Sequence, residues 1–275
     1  KNFRNQYRLL ISAGASLPLI YLTGDNKPSP MTAPNFCMLL RKHIANGKIL
    51  RIWQPGLERI IHFEIEHLND LGDLCHKVLT VEIMGKHSNI IFCDDNNKII
   101  DSIKHVGIQM SSVREVLPGR EYFIPHTQDK ENPLTITEER FRETVLTKPL
   151  PLSKALYMTL TGISPLIAEE ICHRASLESD QSANSFSDTE ATHLYHTFSR
   201  LMEDVKNGNF TPTVVYDGRE PLEFSALPLT LYQDKRVETF ESISAVLENY
   251  YAMKNTITRI RQRSSDLRRI VNPAL

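Results

Sequence analysis

The chain has 275 residues, 41% hydrophobic and 24% charged, with 32 Lys and Arg against 33 Asp and Glu for a formal net charge of −1 at pH 7. That length exceeds what a single core usually supports, so a multi-part architecture is expected, and no apolar run of about eighteen residues is present to cross a bilayer. The near-neutral balance excludes a strong global attraction to nucleic acid, so any RNA or DNA contact must come from local clusters.

The first residues, Lys1-Asn2-Phe3-Arg4, have neither an initiator Met nor the layout of a secretion signal, and the expectation is a chain whose own beginning is missing. Cys37, Cys75, Cys93 and Cys172 lie far apart with no C-x-x-C pair, which argues against a zinc site or a disulfide framework and for free thiols in a reducing cytoplasm. No metal or cofactor is expected.

In chain order, "QYRLLIS" (6–12) and "PLIYLT" (18–23) read as strands joined through a glycine-containing turn. Residues 34–47 read as a helix, with Asn35 as N-cap, Phe36, Leu39, Leu40 and Ile44 on one face, and Arg41, Lys42 and His43 on the other. "KILRIWQPGLERIIHFEIEH" alternates as two strands broken at Pro55-Gly56. By period two, Arg59, Ile61, Phe63 and Ile65 share one face, and Glu58, Ile60, His62 and Glu64 the other. Arg59 then either pairs with a carboxylate at the sheet edge or stands as a planar donor for a phosphate or carboxylate ligand.

"VEIMGKHSNIIF" sets Gly85-Lys86-His87-Ser88-Asn89 between two strand-like halves. The run is either a turn whose Ser88 and Asn89 bond nearby backbone, or a site offering His87 or backbone N–H groups to a ligand; it is not a G-x-x-x-x-G-K-[ST] phosphate loop. The strands continue through "NIIFCDDNNKIIDSIKHV", with a turn at Asp94–Asn97.

From Pro149 the period changes to helical. "LSKALYMTL" and "PLIAEEICHRA", joined by Thr161-Gly162-Ile163-Ser164 with Ser164 as N-cap and Pro165 in the first turn, form a helix-hairpin-helix candidate. It is either a nucleic-acid backbone contact or a purely structural hairpin; Glu169 and Glu170 stand nearby, and Ser164 replaces the second glycine common in DNA-binding hairpins. Residues 176–190 read as a mobile Ser-rich loop, followed by a helix from about Thr192 to Lys206 and a strand pair turning at Asp217-Gly218. The last helix, from about Ser242, spaces Val246, Tyr250, Met253, Ile257, Ile260, Ser264, Leu267 and Val271 as a heptad seam. Between Lys254 and Val271 it carries six basic residues, Lys254, Arg259, Arg261, Arg263, Arg268 and Arg269, against the single acid Asp266, a bias that suits either a solvated coil or an RNA-facing one.

Seven collinear stretches, "MLLRKHI", "QPGLERI", "VEIMGKHSNII", "IIDSIKHV", "REVLPGREY", "GISPLIAEEI" and "FESISAVLENYY", together resemble the NFACT family in its bacterial RqcH branch, whose eukaryotic relative is NEMF and which once carried a fibronectin-binding label. The resemblance implies an α+β chain: a mainly antiparallel β NFACT-N module over 1–135, a helix-hairpin-helix region with a returning β-hairpin over 136–243, and the start of an antiparallel coiled coil over 244–275. It further implies a cytoplasmic, non-catalytic factor of ribosome-associated quality control. Its partners would be the large ribosomal subunit obstructed by peptidyl-tRNA, and alanyl-tRNA recruited for template-free C-terminal alanine tailing. A family Asp-Arg pair associated with tRNA recruitment falls on Glu58-Arg59, where Arg59 matches and Glu58 keeps the charge but adds a methylene. Further RNA-contacting candidates are Arg41, Lys42, Lys86, His87, Ser88, Asn89, Lys104, His105 and Arg114. Two other readings are a surface adhesin for fibronectin or fibrinogen and a DNA glycosylase of the formamidopyrimidine type; the second needs a catalytic N-terminal proline and usually a zinc finger, and neither is visible.

Overall fold

The structure, a computed structural model, describes residues 4–126 and 129–271, with side chains described as far as Ser265. It is α+β, with every sheet antiparallel. A hairpin of β1 (Leu9–Ser12) and β2 (Leu19–Leu22) precedes α1 (Asn35–Ile44). The N-cap position of α1 belongs to Pro34 rather than Asn35 and makes no side-chain cap bond; the helix is held by its apolar face, where Phe36, Leu39, Leu40 and Ile44 pack on the sheet. Gly47 lets the chain reverse tightly against that sheet, because a Cβ there would stand 2.9 Å from Ile65 and 3.0 Å from the Ile44 carbonyl.

Five strands follow as a meander, β3 (Lys48–Trp53), β4 (Ile60–Leu68), β5 (Leu74–Glu82), β6 (Asn89–Asp94) and β7 (Ile99–Ser102), paired in that order. The predicted alternation holds along β4, but both faces are covered. Phe63, Ile65, Leu79 and Phe92 meet α1 and the first hairpin, while Ile91, Cys93 and Ile99 meet Val116 and Tyr122 of the segment that returns over the other face.

The helical part comprises α2 (Glu138–Thr144), α3 (Leu152–Thr159), α4 (Pro165–Arg174) and α5 (Asp188–Lys206), packed on Phe141, Leu152, Leu156, Ile171, Leu194 and Phe198. Helix α2 is an element sequence patterning did not pick out. Ser164 caps α4 by accepting from the Ile167 N–H at 3.2 Å, with Pro165 in the first turn as predicted. The loop expected to be mobile is instead pinned: the Leu152 N–H donates to Gln181 O at 2.9 Å and the Ala183 N–H to Leu150 O at 2.8 Å. A reciprocal capping box between Ser187 and Glu190 starts α5 at Asp188, earlier than the predicted Thr192. Of the serines that read as a mobile loop, Ser187 caps α5 and Ser185 donates to Ser182 O.

Strands β8 (Thr213–Asp217), β9 (Glu220–Ser225) and β10 (Arg236–Thr239) form a sheet in the order β10-β8-β9, turning at Gly218. Helix α6 (Ile243–Val271) begins on this sheet, burying Val246 and Tyr250 against Val214 and Tyr216. The first hairpin docks on the same helix, with the Leu22 N–H donating to Ser244 Oγ at 2.9 Å and Thr23 Oγ1 to Glu248 at 2.6 Å. The heptad positions are therefore covered at Val246 and Tyr250, whereas Ile260 is 62% exposed. The side chains of Asp266, Leu267, Arg268, Arg269 and Val271 lie outside the described residues. Among the described residues no helix is long and apolar enough to cross a membrane.

Candidate nucleic-acid interface

The meander decides which candidate residues meet. An antiparallel sheet returns alternate turns to one end, so the turn into β4 (54–59), the turn from β5 to β6 (83–88) and the exit of β7 (103–105) form one rim. Backbone pairing ties them together: the Ile83 N–H donates to Arg59 O at 2.8 Å, and the Asn89 side chain holds Lys104 by its N–H at 3.1 Å and its carbonyl at 2.9 Å.

The turn carrying Glu58 and Arg59 is fixed from both sides. The Glu58 N–H donates to Pro55 O at 3.1 Å and Gln54 Nε2 to Glu58 O at 2.7 Å. Leu57 leaves the sheet module and packs on the helical core. Its seat is Gly162, in the turn between α3 and α4, with φ +75°; a Cβ at Gly162 would lie 2.4 Å from both Leu57 Cβ and Leu57 O. The rim and the helical hairpin therefore meet at Leu57, directly before Glu58. Arg59 itself is exposed, and among the described residues its guanidinium has no ion-pair partner. Of the two roles open to it, pairing within the sheet edge is not the one observed.

Gly85–His87 is a single 3-10 turn entered at positive φ, with Lys86 and His87 exposed. Ser88 and Asn89, predicted RNA contacts, are instead buried staples: Ser88 Oγ accepts from the Met84 N–H at 2.8 Å, and Asn89 Oδ1 accepts from Ile90 and Lys104. Lys104 is stapled by its backbone and its Nζ is packed away from solvent without a hydrogen bond among the described residues. His105 is engaged by Asp101 at 2.6 Å.

Arg114 is also corrected. It is part-buried, ion-paired to the fully buried Glu82, and donates to Phe123 O at 2.7 Å. The Tyr122 hydroxyl completes the cluster by donating to Glu82 at 2.9 Å. Burial first, and the Glu82 charge second, push the Tyr122 phenol far above its ordinary range. Arg41 and Lys42 are exposed but sit at the opposite end of the sheet, where Lys42 approaches Asp70 of the β4–β5 turn at 3.7 Å. The structure thus brings Glu58, Arg59, Lys86, His87, Lys104 and His105 to one rim of the sheet. Of the two acids beside the helical hairpin, Glu170 is buried, bonded to Arg174 and to the N–H groups of Thr230 and Leu231, whereas Glu169 stays partly exposed.

Sequence reasoning missed Leu57 as the anchor; an apolar residue inside a turn of polar residues was the available signal. Missed as well was Arg51, two residues from Trp53 and so on the same side of β3. Among the described residues no group of three or more His, Cys, Asp or Glu is placed to hold a metal. The four cysteines are free, and burial raises the thiols of Cys93 and Cys172 to about 12.

An antiparallel meander whose first turn locks into a helical hairpin, continued by a long basic helix, is a specific architecture. The sequence profile of the NFACT N-terminal and middle domains matches residues 1–275, and the chain belongs to that family. It is 38% identical over 98% of its length to the Rqc2 homolog RqcH of Bacillus subtilis, and 30% identical over 96% to that of Streptococcus suis. An archaeal Rqc2 homolog, aRqcH of Methanocaldococcus jannaschii, is 27% identical over 94%. The chain spans 45%, 43% and 37% of the lengths of these relatives. Among solved structures it resembles the fibrinogen binding protein from Staphylococcus aureus, with a TM-score of 0.74 and 30% identity over 91% of this chain and 85% of that one. The N-terminal part of a fibronectin/fibrinogen-binding protein from Streptococcus suis gives 0.72 and 30% over 92% and 85%.

Proposed function

We propose that this chain is the tRNA-recruiting part of a ribosome-associated quality-control factor. It acts in the cytoplasm on large subunits obstructed by peptidyl-tRNA and brings alanyl-tRNA for template-free alanine tailing of the stalled chain. The observation that carries the proposal is Arg59: an exposed guanidinium without an intramolecular partner among the described residues, on a turn whose backbone is fixed from both sides, at the same rim as Lys86 and His87. Kinship with proteins named Rqc2 homolog RqcH supports the setting. In this reading residues 1–135, 136–243 and 244–275 are three modules, the hairpin of α3 and α4 is a helix-hairpin-helix element buttressing the rim, and α6 opens a coiled coil.

The chemistry asked of the chain is positioning. Arg59 offers a planar fork of donors to a tRNA phosphate, and Glu58, which makes no ion pair with it among the described residues, accepts from a ribose or base hydrogen. Peptide-bond formation then belongs to the ribosome, and the gain comes from holding the aminoacyl end in place.

The test is binding of labelled total tRNA to the chain and to Arg59→Ala at two salt concentrations, with fibronectin as a parallel ligand. Salt-dependent tRNA binding that falls in the variant, with the thermal midpoint within a degree or two, is the expected result. The second reading, an adhesin, is favoured by the likeness to fibrinogen- and fibronectin-binding proteins. Saturable fibronectin binding with no tRNA response to salt or mutation would put it first.

A further inference from the structure

Beyond the Arg59 rim, the edge strand carries a stack of planar groups. His62 is fixed on β4 by a 2.8 Å hydrogen bond between Nδ1 and Thr80 Oγ1, with Tyr122 edge-on at 6.0 Å between ring centroids. The Trp53 ring lies 4.9 Å from the His62 ring between centroids, tilted by 35°. The Arg51 guanidinium covers Trp53 at 3.8 Å from the ring centroid. The inner end of this ladder is anchored through Tyr122 on the buried Glu82 and its ion-pair partner Arg114. Its outer end is open: the Arg51 side chain is 61% exposed, and its one ionic neighbour, Glu64, is at 3.9 Å from Nε. Among the described residues neither terminal nitrogen of Arg51 has a hydrogen bond.

The guanidinium that covers Trp53 keeps its terminal donors open to solvent. Planarity, positive charge and free N–H groups in one plane suit a planar, polar and anionic ligand. Arg51 pairs with Glu64 across the β3–β4 ladder, five residues from Arg59 and so about 17 Å away along the strand at the usual rise, a span that an RNA strand of a few nucleotides crossing the rim at Arg59 covers around the sheet edge. We propose that Arg51, backed by Trp53 and His62, is a stacking platform for one unpaired nucleobase of the RNA whose phosphates meet the Arg59 rim. The inference rests on the tRNA reading for its polyanion and adds base contact to it. Burial, with the charge of Arg51 as the smaller cause, keeps His62 below its ordinary pKa, so its ring stays neutral beneath the cation.

The experiment compares two labelled RNA strands of equal length, one with bases throughout and one with abasic positions, so that phosphate charge is the same. The chain should bind the base-containing strand roughly tenfold more tightly, the scale of one stacked base. Arg51→Lys, which keeps the charge and loses the plane, should abolish that preference and leave the abasic affinity unchanged. Emission from Trp53, the one tryptophan of the sequence, should shift with the first strand and not with the second. Equal affinity for both strands in the unaltered chain, or a preference that survives in Arg51→Lys, overturns the platform. If tRNA binding still depends on Arg59 in that event, the tRNA reading stands without it. A base preference that depends on Arg51 but is unaccompanied by Arg59-dependent tRNA binding keeps the platform and removes that reading.

Discussion

Gly162 is the position where fold and proposed site are tied most tightly, and substituting it separates two energetic effects. Gly162→Ala places a β-substituted residue at φ +75°, which costs about 1–2 kcal/mol by the left-handed backbone alone. It also drives a methyl to 2.4 Å from Leu57 Cβ and the Leu57 carbonyl. Since one of these is backbone, relief requires the 54–59 turn to move, an overpacking penalty of about 1–3 kcal/mol. The sum is about 2–5 kcal/mol, or a midpoint loss on the order of 5–15 °C for a chain of this size. Gly85→Ala is the internal control, because Gly85 has φ +56° but nothing within 4 Å of the place a Cβ would take, so only the backbone part applies. Denaturant titrations of both variants should place Gly162→Ala at least about 1 kcal/mol below Gly85→Ala, and tRNA binding measured well below the midpoint should fall in Gly162→Ala because Leu57 carries Glu58 and Arg59 with it. Equal destabilisation of the two variants would refute the account of Leu57 as an anchor seated on Gly162.

Arg114→Ala leaves Glu82 buried and unpaired, so unfolding free energy should fall by about 3–5 kcal/mol while tRNA affinity per folded molecule stays the same; a binding defect without a stability defect would return Arg114 to the interface. Cys93 and Cys172 have folded pKa values of about 12, raised above the ordinary value of 9.0, so the stability they contribute is full below about pH 9 and lost as pH rises from there. Tyr122 acts in the same direction, and a thiol reagent at pH 8 should label Cys37 and Cys75 well before the other two. His43 and His62 are shifted the opposite way, chiefly by burial, so what they contribute is present above their unfolded value near 6.5 and is lost as pH falls below it. Denaturant midpoints between pH 7.5 and 5 should therefore fall less in His62→Gln than in the parent.

The strands of the meander were legible because their apolar residues alternate and their turns carry Pro55-Gly56 and Asp94–Asn97, local features that need no partner. Ser164 and Pro165 were legible for the same reason. What escaped was whatever depends on a distant partner. The turn reading of Ser88 and Asn89 holds, since both bond nearby backbone, but the clamp of Asn89 on Lys104 needs a segment 15 residues away, and Arg114 looks from sequence like a donor waiting for RNA until Glu82, 32 residues away, shows it already used. The Ser-rich loop before α5 failed in the other direction, since a polar run has the same composition whether it is mobile or is pinned by backbone bonds and a Ser187 cap. Pairing decides between them, and pairing is not a local property.

Arg59 illustrates why a positioning factor would arrange its contact this way. Four constraints hold the turn: the Pro55 carbonyl on the Glu58 N–H, the Gln54 amide on the Glu58 carbonyl, the Ile83 N–H on the Arg59 carbonyl, and Leu57 in the helical core. Backbone ordering, about 1–2 kcal/mol per residue, is thereby met during folding and not at the moment of binding. The side chain alone remains to be ordered, and it leaves no intramolecular carboxylate among the described residues when it does so. An ion pair in the free protein would have to be broken by each incoming phosphate, whereas an exposed, unpaired guanidinium on an immobile turn contributes its full charge-assisted hydrogen bonds to the ligand. Loss of Arg59 should consequently appear almost wholly in affinity, and loss of Leu57 in both affinity and stability.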